Sequence, residues 1–278
     1  MTTWRDGEPA PGPRPGPLGV GLGVLRGGAL LCVTYGGLLA LLALRLVERP
    51  VHGDNRPWTP HITQAVCRTS FRIMGIGYHI IGQPIDNIGA VVANHGSWLD
   101  IFALNACQRV YFVSKAEVAD WPVIGWLARA TGTVFIRRNR NDAKAQQALL
   151  GTRIRAGHRL LFFPEGTSTD GLRVQPFKST LFAPFYDQGV AQDFRIQPIT
   201  VIYRAPEGAD ARFYGWWGDM AFGSHFMKVL VTPRQGSVEV VFHAPVLVRD
   251  FLSRKDLTAY CEAQVRAALP YDATSLDL

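Results

Sequence analysis

The chain has 278 residues, 47% of them hydrophobic and 18% charged, with a formal net charge of +7. That length allows one large domain or two small ones, and so apolar a composition with few charges excludes a disordered chain. Four cysteines, Cys32, Cys67, Cys107 and Cys261, stand too far apart for a disulfide-dense scaffold, a redox CxxC loop or a zinc ribbon.

Residues 7–19 read GEPAPGPRPGPLG, a proline- and glycine-rich stretch that predicts a flexible or polyproline-like tail over residues 1–26. Residues 27–44 then carry no charge, between Arg26 and Arg45. As a helix they cover ~27 Å, enough for a ~30 Å hydrocarbon core if the two arginines snorkel. A signal peptide has a shorter apolar core and a small-residue cleavage site. A soluble core helix accommodates the internal glycines less well. A membrane anchor, spanning or embedded, fits best. Residues 60–74 place Ile62, Val66, Thr69 and Ile73 on one stripe with Arg68 and Arg72 beside it. That is an amphipathic helix, at the lipid surface or packed on the domain. Residues 27–75 are thus expected to be membrane-anchoring helices.

From residue 76 to 278, short apolar runs alternate with helical stretches. Strands are expected at 90–93, 110–113, 133–136, 160–163, 198–203 and 237–242. Helices are expected through 101–104, from Asn141 to Ala156, and from Ser253 onward, where Asp256 completes a capping pattern. This alternation predicts an α/β fold: one domain with a mostly parallel central sheet flanked by helices.

The basic excess is local. Arg129, Arg137, Arg138, Arg140, Lys144, Arg153, Arg155 and Arg159 face one acid, Asp142, within 31 residues, and the rest of the chain balances. Such a block suits a phosphate, a lipid headgroup or nucleic acid, and equally a solvated helix face.

Two segments directly after expected strands carry chemistry. In Asn94-His95-Gly96-Ser97-Trp98-Leu99-Asp100, His95 and Asp100 can meet only if the histidine sits in the turn before a helix and the aspartate in its first coil. With Ser97 as cap, the helix starts at Trp98 and Asp100 is its third residue. Asp100 can then hold the Nδ1 proton of His95 and leave Nε2 as a base; alternatively Asp100 only completes the cap. Phe163-Pro164-Glu165-Gly166-Thr167-Ser168-Thr169-Asp170-Gly171 offers N–H groups and hydroxyls for an anion, and Glu165 can bond a substrate hydroxyl. Read bare, it is an ordinary polar turn. Arg137, Arg138 and Lys178 can reach the same rim. There is no GxSxG elbow, HExxH helix, Walker loop or GxGxxG in a strand-to-helix context. A base without a protein nucleophile points to a hydroxyl on the substrate.

Together these blocks resemble the lysophospholipid acyltransferase family. Asn-His-x4-Asp, Gly132-Thr133-Val134-Phe135-Ile136-Arg137-Arg138, Phe-Pro-Glu-Gly-Thr at 163–167 and Gln197-Pro198-Ile199 follow in the family's order. Phe112-Val113-Ser114-Lys115-Ala116-Glu117 and Trp121-Pro122-Val123-Ile124-Gly125-Trp126 are similar to its connecting segment. The resemblance implies an α/β O-acyltransferase with His95 and Asp100 catalytic. It implies acceptor binding by Arg138, Glu165, Gly166 and Thr167, with Arg137, Lys178 and Lys115 adding positive charge. Typical members have Asp where Arg137 stands and Arg where Ser168 stands, and the Thr-Ser-Thr-Asp-Gly continuation is more like the branch that acylates lyso-ornithine lipids. The expected acceptor is 1-acylglycerol-3-phosphate, with a lyso-ornithine lipid as the alternative. A membrane-bound esterase or thioesterase, or a non-enzymatic basic membrane adaptor, is the alternative of another class. The donor would be the thioester of acyl-CoA or acyl carrier protein, and membrane lipids are the further partner. No metal, cofactor or nucleic acid is expected. The location implied is the bacterial inner membrane, with the active site on the cytoplasmic side.

Overall fold

The computed structural model describes residues 4–5, 15–86, 89–121, 123–136, 143–186 and 193–270. The run Ala90-Val91-Val92-Ala93 becomes strand β2 (Gly89–Ala93), buried at every position because the sheet is covered on both faces. Alternation divides its side chains: Val91 and Ala93 enter one apolar core, Ala90 and Val92 the other. Parallel to β2 run β5 (Leu160–Phe162), β3 (Tyr111–Lys115) and β4 (Val134–Ile136) on one side and β6 (Arg195–Arg204) on the other. β7 (Ser237–Phe242) pairs antiparallel with β6, and β1 (Gly77–Ile81) lies parallel to β7 at the edge. The strand order is β1-β7-β6-β2-β5-β3-β4, and the short β8 (Val246–Leu247), off this path, pairs antiparallel with the start of β6.

The mostly parallel sheet is therefore present, with one antiparallel seam. Two strands escape the sequence reading for physical reasons. β1 is an edge strand whose last residues are exposed, so it shows no buried period. β8 is only two residues long.

Helices α2 (Thr59–Met74), α3 (Leu99–Cys107) and α6 (Phe222–Val231) cover one face, and α5 (Ala143–Arg155) and α7 (Arg254–Ala267) the other. Ser253 caps α7 as expected, its Oγ accepting the Asp256 N–H at 3.3 Å. The buried side of α2 is Cys67, Ser70, Phe71 and Met74, one step round from the expected stripe. Ile62, Val66 and Ile73 are its half-buried flanks, because α2 packs between two helices and not on one surface.

Helix α1 (Pro17–His52) begins inside the segment expected to be a tail and outruns the 27–44 core at both ends. Pro17 sits at its first position, where the missing N–H costs nothing. Among the described residues α1 is the one helix long and apolar enough to cross a membrane. Its ends are tied to the domain. Arg26 donates to the carbonyls of Leu230 and Thr232 at the end of α6 (3.0 and 2.7 Å). Glu48, fully buried, accepts the Trp58 and Thr59 N–H groups at the start of α2 (2.7 and 3.0 Å). Both side chains help satisfy the backbone groups that helix ends leave open. The outer face of α1 is apolar and exposed, with Val24, Leu31, Leu39 and Leu46 all pointing away from the domain.

Candidate active site

The C-terminal ends of β2, β5 and β3 share one edge of the sheet, the position at which open α/β sheets gather reactive groups. The chain leaving β2 is pinned first by Asn94. Its carboxamide donates to the Val201 carbonyl at 2.9 Å and accepts the Val201 N–H at 2.8 Å, so an amide stands in for a strand partner. His95 follows in the turn, and its Nδ1 meets Asp100 Oδ2 at 2.7 Å. α3 begins at Leu99, one residue later than expected, which makes Asp100 its second residue. Ser97 Oγ accepts the Leu99 N–H at 3.3 Å, so the serine still contributes to the start of the helix.

The Asp100 carboxylate is fully buried and fully partnered. Besides His95, Oδ2 accepts the N–H groups of Gly96 and Ser97 at 2.9 and 3.0 Å, and Oδ1 accepts the Tyr203 hydroxyl at 2.6 Å. A buried anion is tolerable only when so compensated. Capping and orienting are therefore the same act: the oxygen that collects the turn's N–H groups also fixes the imidazole. The His95 ring stacks on Phe163, with centroids 4.1 Å apart and planes 13° apart, and its side chain keeps 21% exposure. With Nδ1 committed to Asp100, Nε2 is the nitrogen left for a substrate proton.

The second segment differs from its sequence reading. Glu165 is 1% exposed, and both carboxylate oxygens are already taken. Oε1 accepts the His95 N–H at 2.6 Å and Oε2 the Gln175 N–H at 2.8 Å. Burial pushes its carboxyl up to about 8, against the pull of those two N–H bonds. Glu165 thus braces the histidine turn and, so buried, is not presented to a substrate in this conformation. Gly166 turns the chain at φ 73° and spends its N–H on the Phe163 carbonyl (3.0 Å), so this amide does not wrap an anion. Thr167 is half-buried, its Oγ1 accepting the Trp4 N–H at 3.5 Å. Lys178 Nζ donates to the Glu165 carbonyl at 2.7 Å and so clamps the same turn.

The two turns interlock. Thr169 N–H donates to the His95 carbonyl and Trp216 N–H to the Gly96 carbonyl, both at 2.8 Å. A Cβ on Gly96 would lie 2.7 Å from Gly171 Cα. Lys115 ends β3 in register with Ile136 and is exposed at this edge. Arg137 and Arg138 lie outside the described residues. Within the basic block, Arg153 donates to the Gly132 carbonyl at 2.7 Å and lies over the Tyr111 ring, near the opposite ends of the strands. Arg173 pairs with buried Asp170 at 3.1 Å beside the Thr169 turn. Sequence reasoning missed Tyr203. Its signal was a tyrosine near the end of an otherwise aliphatic strand, where a buried hydroxyl needs a partner.

The family model for acyltransferases matches residues 84–203. The lyso-ornithine lipid O-acyltransferase of Rhodobacter capsulatus is 63% identical over 266 residues, covering 96% of this chain and 96% of that protein. The Brucella abortus enzyme of the same name is 38% identical, over 72% of this chain and 76% of its own. The 1-acyl-sn-glycerol-3-phosphate acyltransferase of Neisseria gonorrhoeae is 42% identical over a shorter span, 39% of this chain and 44% of that protein. Among solved structures, the 1-acyl-sn-glycerophosphate acyltransferase of Thermotoga maritima superposes with a TM-score of 0.62 over 93% of this chain and 97% of its own. At 19% identity that likeness establishes the shared fold.

Proposed function

The chain belongs to the acyltransferase family, and from that premise we propose that it moves a fatty acyl group from a thioester to the free hydroxyl of a lysolipid, with His95 as general base. The single observation behind this assignment is the His95–Asp100 contact of 2.7 Å within a fully partnered carboxylate site. Asp100 fixes the tautomer in which Nε2 accepts a proton. His95 removes the proton of the acceptor hydroxyl, and the oxygen attacks the thioester carbonyl. A tetrahedral intermediate forms. It collapses by breaking the carbon–sulfur bond, and the imidazolium returns its proton to the leaving thiolate. General-base assistance of this kind is worth about 10²–10⁴ in rate. The thioester of acyl-CoA or acyl carrier protein is a co-substrate, and the scheme uses no metal or other cofactor.

The acceptor we favour is a lyso-ornithine lipid, the second of the two acceptors suggested by sequence. The relative alike over almost the whole chain carries that name, whereas the glycerol-phosphate relative matches less than half of it. An ornithine headgroup presents a carboxylate and an ammonium, so it needs less cationic charge than a phosphate. Lys115, with Arg137, Arg138 and Thr167, would form its rim. The membrane is the third partner. Gly19 and Glu48 both touch the domain and lie about 44 Å apart along α1. A helix in contact over that length cannot cross a ~30 Å core while the sheet stays in water. Embedding of the outer face of α1 in one leaflet, on the cytoplasmic side of the inner membrane, is the arrangement we favour.

The test uses the purified full chain with lyso-ornithine lipid and lysophosphatidic acid, each with both donors. Transfer to the ornithine acceptor is expected, and His95→Ala should lower it at least ~100-fold with unchanged melting. Release of free fatty acid without acceptor would instead make the protein a thioesterase.

A further inference from the structure

We propose that Trp121, Val123 and Trp126 form a second membrane contact, lying in the headgroup–acyl boundary beside the catalytic edge of the sheet. Three large apolar side chains within six residues are exposed here, at 41%, 49% and 66%. Scattered single apolar side chains on a surface need no explanation, but a cluster containing two indoles does. Indoles combine an apolar body with one N–H donor, which suits the boundary between headgroups and hydrocarbon.

Three further observations select a lipid surface as the occupant. The segment leads into α4 (Ile124–Ala130), which packs against α1, the helix whose outer face is apolar and exposed. Charged side chains of both signs rim the patch, with Lys115 and Arg129 beside Glu117 and Asp120, all exposed, which suits the zwitterionic headgroup layer; Arg129 Nη1 is held at 2.6 Å on the Ala119 carbonyl. It is also joined to the histidine turn. The Trp121 ring meets Trp216 with centroids 6.4 Å apart, and Trp216 holds the Gly96 carbonyl. Val123 keeps φ 68° and ψ −55°, the one non-glycine residue with positive φ among the described residues. A β-branched side chain adopts that geometry only at a cost, which its solvent exposure does not offset. A membrane contact at this place would bring an acceptor embedded by its acyl chain to His95 with little withdrawal from the bilayer. In that respect the inference rests on the lysolipid reading above.

The test reads depth directly. Seven tryptophans are present. Trp58, 41% exposed, rests on His52 at the end of α1, so Trp58→Phe is the background in which quenching of indole emission by brominated phospholipid is compared with and without Trp121 and Trp126. In vesicles of mixed anionic and zwitterionic phospholipid, the full-length Trp121→Phe/Trp126→Phe variant should lose most of the quenching seen in that background, with unchanged melting in detergent. Trp126→Glu should lower turnover of a vesicle-borne acceptor about tenfold, since burial of an aromatic side chain is worth at least that factor. Turnover of a short-chain, water-soluble acceptor should stay the same. Undiminished quenching in the double variant overturns the proposal. So does shielding of Trp126 by acyl carrier protein in a parent that brominated lipid does not quench. Quenching needs no acyl transfer, so this proposal and the assignment of the reaction fail independently.

Discussion

Tyr203→Phe removes one oxygen from the site and nothing from its packing. The hydroxyl donates to Asp100 Oδ1 at 2.6 Å in a fully buried contact, and burial beside that carboxylate holds its ionisation well above the usual phenol range. It is therefore a neutral donor to a charged acceptor, a bond worth about 1.5–3 kcal/mol. Asp100 keeps its partners on Oδ2, so the turn should persist while stability falls by that amount. At about 2–4 °C per kcal/mol for a chain of this size, melting should drop by several degrees. The effect on chemistry has a separate sign. A carboxylate with one donor fewer is less neutralised and holds an adjacent imidazolium more tightly. The acid limb of the pH–rate profile should then move to higher pH, with kcat above that limb maintained or raised and acceptor KM unchanged. Parallel measurement of melting and of kcat against pH decides the matter. A variant that melts lower but keeps the parent's pH profile would reduce Tyr203 to a packing residue and refute the proposed link to His95.

Asp100→Asn should lower kcat by orders of magnitude at nearly constant KM, because a carboxamide can cap α3 but cannot stabilise an imidazolium; loss of melting temperature with retained turnover would leave only the capping role. Gly96→Ala should be destabilising by about 1–3 kcal/mol and inactive, since its Cβ would lie 2.7 Å from Gly171 Cα, where two backbones meet; a variant that melts and turns over like the parent would show that the turns are not tightly joined. Acid should destabilise the protein through two buried histidines. His225, which accepts the Trp98 indole N–H at 2.9 Å, is held down to about 3 by burial, and His158 to about 4 by burial and by the nearby Arg153 and Arg56. Both are neutral in the fold and protonate in the unfolded chain near pH 6.5. Their contribution is therefore full above that pH and is lost as pH falls toward 4 and 3, by up to about 1.4 kcal/mol per pH unit each. Urea titrations at stepped pH check this, and His225→Phe should flatten the slope.

How much of this was legible in the sequence follows from where each signal is stored. β2 and α7 could be read because their information is local: an apolar run between turns in one, a serine three residues before an acid in the other. The His95–Asp100 pair could be read because five residues of spacing leave only a turn-then-helix solution. Glu165 was located correctly, but its bracing of the histidine turn was not read. Composition shows that a carboxylate follows a strand, yet not that two N–H groups from distant segments already occupy it. The tasks of Tyr203 and Asn94 were invisible for the same reason. Their partners, Asp100 and Val201, stand 103 and 107 residues away, across strands brought together only by the sheet order.

That distribution of signals has a consequence for specificity. The residues legible from sequence are those whose job is done within one turn, the base and its orienting acid. The residues that tune them arrive through the parallel register and belong to the scaffold as much as to the reaction. On the proposed assignment, a change at Lys115 or Thr167 should alter acceptor preference without disturbing the His95–Asp100 contact. The converse does not hold, because Tyr203 on Asp100 and the His95 and Gln175 N–H groups on Glu165 also tie distant segments together. Lys178 marks the boundary. Its charge lies near the rim, but its Nζ is committed to the Glu165 carbonyl, so its removal should register in melting as well as in turnover.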